Sequence, residues 1–306
     1  MNRGGAFPLR RRKAKLFEES VLSEGALCKF HLERGVEYAV HDGVRMTGDL
    51  YKPDKTTPSP IVIAVHGGAW KVGDASDFQY WGPWLASRGI AVYSIEYRLV
   101  RGEKNRYPAA VLDVKAAVQF VQANAAKLGL DFTRIALMGA SAGAHLSALV
   151  ALAWGRLPAL KVSGQSQPQT SASVKAVVAA YGIYDMLAQW EHDQIARPYD
   201  QITEIFLGVR PCDDRFSYFE SSPISYATTH ANKTSFLLCW GSDDDVVDWR
   251  TQSWPFATAL KQAGYFVRTV PVHAAPHFWM YAPIDEPGSY ASFLAPKLLR
   301  FLKERL

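Results

Sequence analysis

The chain has 306 residues, 48% of them hydrophobic, and a net charge of +5. A chain of this length buries about 75% of its unfolded surface, so it needs no disulfide or metal staple. Arg3, Arg10, Arg11, Arg12, Lys13 and Lys15 exceed the whole net charge by themselves, so the basic balance belongs to a tail and excludes a nucleic-acid-binding face.

Residues 1–20 are therefore expected to be a basic, flexible tail, followed by one domain over residues 21–306. Leu16 to Phe30 is too polar for the apolar core of a signal sequence. No run reaches the ~18 apolar residues of a membrane span. Cys28, Cys212 and Cys239 are odd in number and lack metal-ligand spacing, so they read as reduced thiols of a cytoplasmic protein.

Two early strands, near Ala26–Glu33 and Val44–Lys52, should form an antiparallel edge. Ile61-Val-Ile-Ala-Val65 is a continuous apolar run and reads as a buried parallel strand. It ends in His66-Gly67-Gly68-Ala69-Trp70. Consecutive glycines at a strand end let the backbone approach a ligand closely and turn its N–H groups inward. The strand Ala91–Glu96 and the helix Ala109–Leu128, which starts after Pro108, come next.

The strand Ile135–Met138 runs into Gly139-Ala140-Ser141-Ala142-Gly143, and a helix-forming run extends from Ala142 to Trp154. This is a G-x-S-x-G pentapeptide between strand and helix, the context of a nucleophile elbow. The turn is tight enough that residues two before and two after the serine must be nearly free of side chain. It lifts the Ser141 hydroxyl clear of the sheet and aims the N–H of Ala142 at the position of a carbonyl oxygen.

Leu157–Ser173, rich in Ser, Gln and Pro, reads as a mobile loop. After the strand Val174–Ala180, the segment 183–232 is a long insertion rich in Trp, Tyr and Phe, expected to form a partial lid. The strand Ser235–Trp240 opens into Gly241-Ser-Asp-Asp-Asp-Val-Val-Asp248. The helix Thr251–Gly264, the strand Phe266–Val272 and the helix Tyr290–Leu306 complete the chain. Strands alternating with helices imply a mostly parallel, doubly wound α/β sheet.

A serine hydroxyl needs a base to take its proton, and the base needs a carboxylate to orient it. Asp244 suits the acid best, because Val246 and Val247 can anchor the loop behind it. Asp243, Asp245 and Asp248 remain alternatives, otherwise explained as helix caps or loop charge. His277 lies in a loop that can reach Ser141. His273 continues the last strand and should pack beside the sheet. His145, in the first turn of the nucleophile helix, reads as a packing or loop-anchoring residue. His31, His41, His192 and His230 read as surface histidines.

These motifs resemble the hormone-sensitive-lipase-like carboxylesterases of the α/β-hydrolase fold, in the style of small esterases, feruloyl esterases and kynurenine formamidases. The resemblance is carried by His66 to Trp70, Tyr97-Arg98, Asp113 to Ala117, Gly139 to His145, Gly182 to Asp185, Ser222-Pro223, Gly241 to Asp244 with Val247, and His277-Phe278. It spans about residues 45 to 280. It implies Ser141 as nucleophile, Asp244 as acid and His277 as base. It implies the amides of Gly68, Ala69 and Ala142 as the oxyanion hole. Ala144, Trp240 and Asp248 depart from its pattern, standing where many members have Gly, His and Pro.

The expected activity is two-step hydrolysis of small or aromatic carboxylic esters, with no metal or organic cofactor. Amide or arylformamide hydrolysis by the same triad is the alternative. A non-catalytic ligand-binding protein on the same scaffold is the reading from another class. Partners are then a small-molecule ester or amide, with no nucleic acid and no membrane span, and a homodimer is compatible. Aromatic residues in segments expected to face the mouth are Trp70, Phe78, Tyr80, Trp81, Trp84, Tyr184, Trp190, Phe206, Phe216, Phe278, Trp279 and Tyr281. Of these, Trp70 and Phe278 adjoin a catalytic motif. With Gly67, they are the expected substrate-binding residues.

Overall fold

A computed structural model describes residues 27–41, 43–157, 174–229 and 233–306. The expected basic tail, nearly all of the loop 157–173 and His230 lie outside the described residues.

Eight strands form one sheet: β1 (Phe30–His41), β2 (Val44–Pro53), β3 (Ser59–Val65), β4 (Ala91–Ile95), β5 (Leu130–Ala140), β6 (Val174–Ala180), β7 (Ser235–Gly241) and β8 (Val267–Val272). Their spatial order is β1-β2-β4-β3-β5-β6-β7-β8. β1 pairs antiparallel with β2, and β2 antiparallel with β4; all later pairings are parallel. This is the mostly parallel sheet with an antiparallel edge that the pattern of strands implied.

β1 runs further than expected, to His41, because Tyr38 and Ala39 turn into the core and the Tyr38 hydroxyl donates to the carbonyl of Glu96 at 2.6 Å. His41 is correspondingly no surface histidine. Its Nε2 lies 3.4 Å from the buried Asp113 carboxylate. Asp113 also takes a fork of bonds from the Arg98 guanidinium at 2.8–3.0 Å and the Arg98 amide at 2.8 Å. A buried carboxylate is tolerated only with such partners, and these fix the segment after β4 against the helix that carries Asp113.

Helices cover both faces. Residues of α1 (Trp81–Ala86) and α8 (Tyr290–Arg305) pack into one apolar cluster. Those of α2 (Ala109–Leu128), α3 (Ala142–Ala153) and α7 (Ser253–Gln262) pack into the other. β3 shows why its sequence is continuously apolar: Ile61 to Val65 are all fully enclosed between the two layers. Between β6 and β7 the insertion folds into α4 (Met186–Ala196), α5 (Ile202–Leu207), α6 (Arg215–Glu220) and the 3-10 turn Pro223–Tyr226.

Half of the twelve aromatic residues expected at the mouth belong to the core instead. Trp70, Phe78, Trp81, Tyr184 and Phe206 have no accessible surface. Phe216 lines a cavity of about 690 Å³ with Leu152 and Ala153, at the far end of α3 from Ser141. Large aromatic rings bury so much area that the interior claims them first.

The joint between β5 and α3 positions everything that follows. Ser141 adopts φ 53°, ψ −120°. A Cβ on Gly139 would lie 2.2 Å from the carbonyl oxygen of Gly143, and one on Gly143 would lie 1.9 Å from that of Val65. Both glycines are therefore dictated by backbone-to-backbone contact, which no rotamer change relieves. Gly143→Ala should lower unfolding stability by about 3 kcal/mol or more in urea titrations. Gly155→Ala, with nothing within 4 Å of its added Cβ, should change it by less than about 1 kcal/mol. Equal effects would show that the elbow is not packing-limited.

Candidate active site

Ser141, His277 and Asp244 meet at the carboxyl ends of the parallel strands, where ligand sites of open α/β sheets form. Ser141 sits 3.0 Å through Oγ from Nε2 of His277. Nδ1 of His277 lies 2.7 Å from Oδ2 of Asp244. An ionised carboxylate only accepts, so Nδ1 carries the proton and Nε2 is left to accept from the serine hydroxyl. Asp244 and His277 side chains are 0% and 2% exposed, so water does not screen the pair.

The acid loop explains why Asp244 and not its neighbours reaches the histidine. Its Oδ1 accepts the amides of Val246 (3.0 Å) and Val247 (2.9 Å), leaving Oδ2 aimed at His277. Val247 is buried beneath. Asp243 turns to the Ser242 hydroxyl and is exposed. Asp248 accepts the amide of Arg250 in the turn before α7, and Asp245 is exposed.

The loops that carry Asp244 and His277 are also zipped together. The amides of Ser242 and Asp243 donate to the carbonyls of Val272 and Ala275, and the Ala274 amide donates to the Ser242 hydroxyl. Gly241 is required there, since its Cβ would stand 2.0 Å from the carbonyl oxygen of Ala275.

His273 does not pack beside the sheet as expected. β8 stops at Val272, and His273 is exposed on the turn that the zipped loops form. Phe278, directly after His277, has φ 65°, is 54% exposed and stands edge-on to the His277 ring at 4.4 Å.

The segment after β3 wraps toward the elbow. Gly68, Ala69 and Trp70 all have positive φ (96°, 51°, 59°). The carbonyl of Gly68 is taken by the amides of Lys71 and Val72. Among the described residues, no group accepts the amides of Gly68, Ala69 or Ala142. Free N–H groups at a helix start and in a positive-φ turn are suited to an anion.

The amide of Gly67 is different: it donates to the hydroxyl of Tyr281 at 2.8 Å. A Cβ at Gly67 would strike that hydroxyl at 2.8 Å and crowd the Ser141 Cβ at 3.3 Å. Gly67 therefore gives room and not a donor. Trp70, expected at the pocket wall, is fully enclosed behind the loop.

Three aromatic residues with site contacts were not singled out by sequence reasoning for those roles. Tyr181, at φ 39°, lies 4.6 Å from the His277 ring, and its hydroxyl accepts the Met280 amide. It directly follows β6, so its place just past a strand's carboxyl end was the available signal. Tyr97 stacks on His66 at 4.1 Å, and its hydroxyl lies 3.1 Å from the carbonyls of His66 and Gly67. Tyr281 is the third. Burial pushes the His66 imidazole down to about 4. It is thus neutral and donates from Nδ1 to the carbonyl of Gly67 at 2.8 Å.

The chain is similar to known proteins over most of its length. It is 32% identical over 223 residues to Esterase LipQ of Mycobacterium tuberculosis (strain ATCC 25618 / H37Rv), covering 71% of this chain and 50% of that protein. It is 36% identical over 197 residues to Esterase LipC of the same organism, covering 63% and 46%. The chain thus spans about half the length of the curated relatives it matches. A truncated carbohydrate esterase from gut microbiota shares the fold with a TM-score of 0.71 and 23% identity, over 92% of this chain and 97% of the other. Residues 48–260 match the BD-FAE family, and the chain, with its α/β-hydrolase fold, belongs to that family.

Proposed function

We propose that this chain hydrolyses carboxylic esters by two-step acyl transfer, with Ser141 as nucleophile, His277 as base and Asp244 as the orienting acid. The observation that carries this reading is the unbroken hydrogen-bonded line from Ser141 to His277 to Asp244, beside three amides without acceptors. His277 takes the Ser141 proton as the hydroxyl attacks the carbonyl carbon. The oxyanion falls to the amides of Gly68, Ala69 and Ala142, each donor being worth about 3 kcal/mol of barrier. His277 then protonates the leaving alcohol, and water repeats the sequence on the acyl-enzyme. The esterase names of the relatives over this same region support the ester class.

Phe278 is the residue we assign to the substrate side, since it is exposed beside the base. Trp70 passes from that role to holding the loop from behind. The reading includes a cytoplasmic setting, because Cys28, Cys212 and Cys239 are all free thiols. Fractionation of cells expressing the full chain tests that part, and recovery outside the cytoplasm would remove it.

Ser141→Ala should abolish hydrolysis of p-nitrophenyl acetate and labelling by a fluorophosphonate probe while leaving the thermal melt unchanged. Retained turnover above a few per cent would sink the assignment, and an unlabelled wild-type chain would favour a ligand-binding role.

Asp244→Asn should lower kcat by about 10⁴-fold, because the imidazole loses the acceptor that fixes its tautomer. Asn at Asp243, Asp245 or Asp248 should each cost less than about threefold, as none of them meets His277. Parallel kinetics of the four variants decide the point; a crippled neighbour would move the acid.

Phe278→Ala should raise KM for aryl esters more than for acetyl esters, the removed ring being a contact surface for aromatic groups. Equal effects across a panel of both would make Phe278 a packing residue of the His277 loop.

A further inference from the structure

His145 stands one helical turn beyond Ser141, and its amide donates to the Ser141 carbonyl at 3.1 Å. Its ring is wholly buried. Nδ1 accepts the indole N–H of Trp70 at 3.2 Å, and Nε2 lies 2.8 Å from the carbonyl oxygen of Ser221. An indole nitrogen only donates and a carbonyl only accepts. The tautomer is therefore fixed, with the proton on Nε2 and both ring nitrogens engaged. Burial pushes this imidazole down to about 4, so it stays neutral near pH 7.

The two partners belong to different parts of the site. Trp70 directly follows Ala69, whose amide is free. Ser221 lies in the insertion, just past α6. Phe206 of α5 reinforces the link: it stacks on the Trp70 indole at 4.2 Å and stands edge-on to the His145 ring at 5.6 Å. One imidazole thus joins the nucleophile helix, the loop after β3 and the insertion. That loop needs a restraint. Ala69 and Trp70 hold left-handed backbone without being glycine, a conformation that costs about 1–2 kcal/mol per residue and persists only where its surroundings enforce it.

We propose that His145 is a positioning residue for the oxyanion loop, holding the Gly68 and Ala69 amides in register with Ser141 through Trp70, and making that register depend on the insertion through Ser221. The proposal rests on the acyl-transfer reading above. His145 touches no substrate in it. The effect is confined to the state in which negative charge has developed on the carbonyl oxygen, because ground-state binding makes little use of those amides.

The test uses the full chain and four variants: Trp70→Phe, which removes the indole N–H but keeps a ring, His145→Ala, the double variant, and His145→Gln, whose amide offers both an acceptor and a donor. Steady-state hydrolysis of p-nitrophenyl acetate is read beside the inhibition constant of a trifluoromethyl ketone, whose tetrahedral adduct carries an oxyanion. Trp70→Phe and His145→Ala should each lower kcat by about 10- to 100-fold, with KM within about threefold. The ketone should weaken by a matching factor.

The double variant should be no worse than the poorer single one, since both substitutions break one link. His145→Gln should regain most of the lost kcat. Unchanged kcat and ketone affinity in Trp70→Phe, additive losses in the double variant, or a loss in KM alone would overturn the proposal. Should His145→Ala fail to fold, Trp70→Phe decides by itself. A wild-type chain that neither turns over ester nor labels with fluorophosphonate would instead overturn the acyl-transfer reading, a result distinct from an active wild type with indifferent variants.

Discussion

The whole site hangs on how closely α3 approaches the ends of β3 and β5. When only one residue separates a strand from a helix, that residue must take a conformation few side chains adopt, and Ser141 at φ 53° does so. Two backbone contacts make the turn possible, Gly139 against Gly143 and Gly143 against Val65. The same closeness places the start of α3 beside the loop after β3. An oxyanion would therefore meet amides from two segments more than 70 residues apart in sequence. Ser141 and these amides are parts of one packing arrangement, and neither can shift without the other.

Around that joint three buried polar side chains tie loops together. Gln252 accepts the amides of Tyr184 and Asp185 and donates to the carbonyl of Asp185, fastening the start of the insertion to the segment after the acid loop. Gln189 donates to the Val246 carbonyl, behind the amide that braces Asp244. His145 ties the opposite side of the insertion to the loop after β3. Buried polar groups left unsatisfied are costly, and satisfied ones enforce a single geometry. The insertion thus grips both the loop that carries Asp244 and, through His145, the loop after β3. It is a clamp as much as a cover.

Much of the fold and of the central site was legible because the relevant signals are local. An apolar run of five residues marks β3, and G-x-S-x-G needs only its own strand and helix. Asp244 was chosen over three other aspartates on a two-valine anchor; the structure adds that the amides of those valines, more than their side chains, orient the carboxyl. What failed was what depends on long-range packing. His273 looked like a strand residue because nothing local says that β8 stops at Val272. His41 looked like surface because its partner Asp113 lies far along the chain. The aromatic residues could not be divided into core and mouth, since a ring next to a catalytic motif looks the same in sequence whether it faces substrate or supports the loop from behind. Trp70 is the clearest case.

The departures from the family pattern follow the same logic of compensation across distance. Ala144 carries a methyl where a glycine is usual, and Gly182 opposite it has none; a Cβ there would stand 2.7 Å from that methyl. Trp240 stacks on Trp249 across the acid loop at 6.0 Å, filling with aromatic surface a position that need not ionise. Asp248 accepts the amide of Arg250 and pairs with its side chain, so the loop is closed by hydrogen bonds in place of a ring constraint. The three histidines of the site then differ in one respect that matters. His66 and His145 sit against carbonyl oxygens, and burial disfavours their charged forms. His277 alone among them has a carboxylate against its ring. Ser141 therefore faces the one imidazole of the three that is held by a carboxylate, and the other two stand against carbonyls as neutral supports.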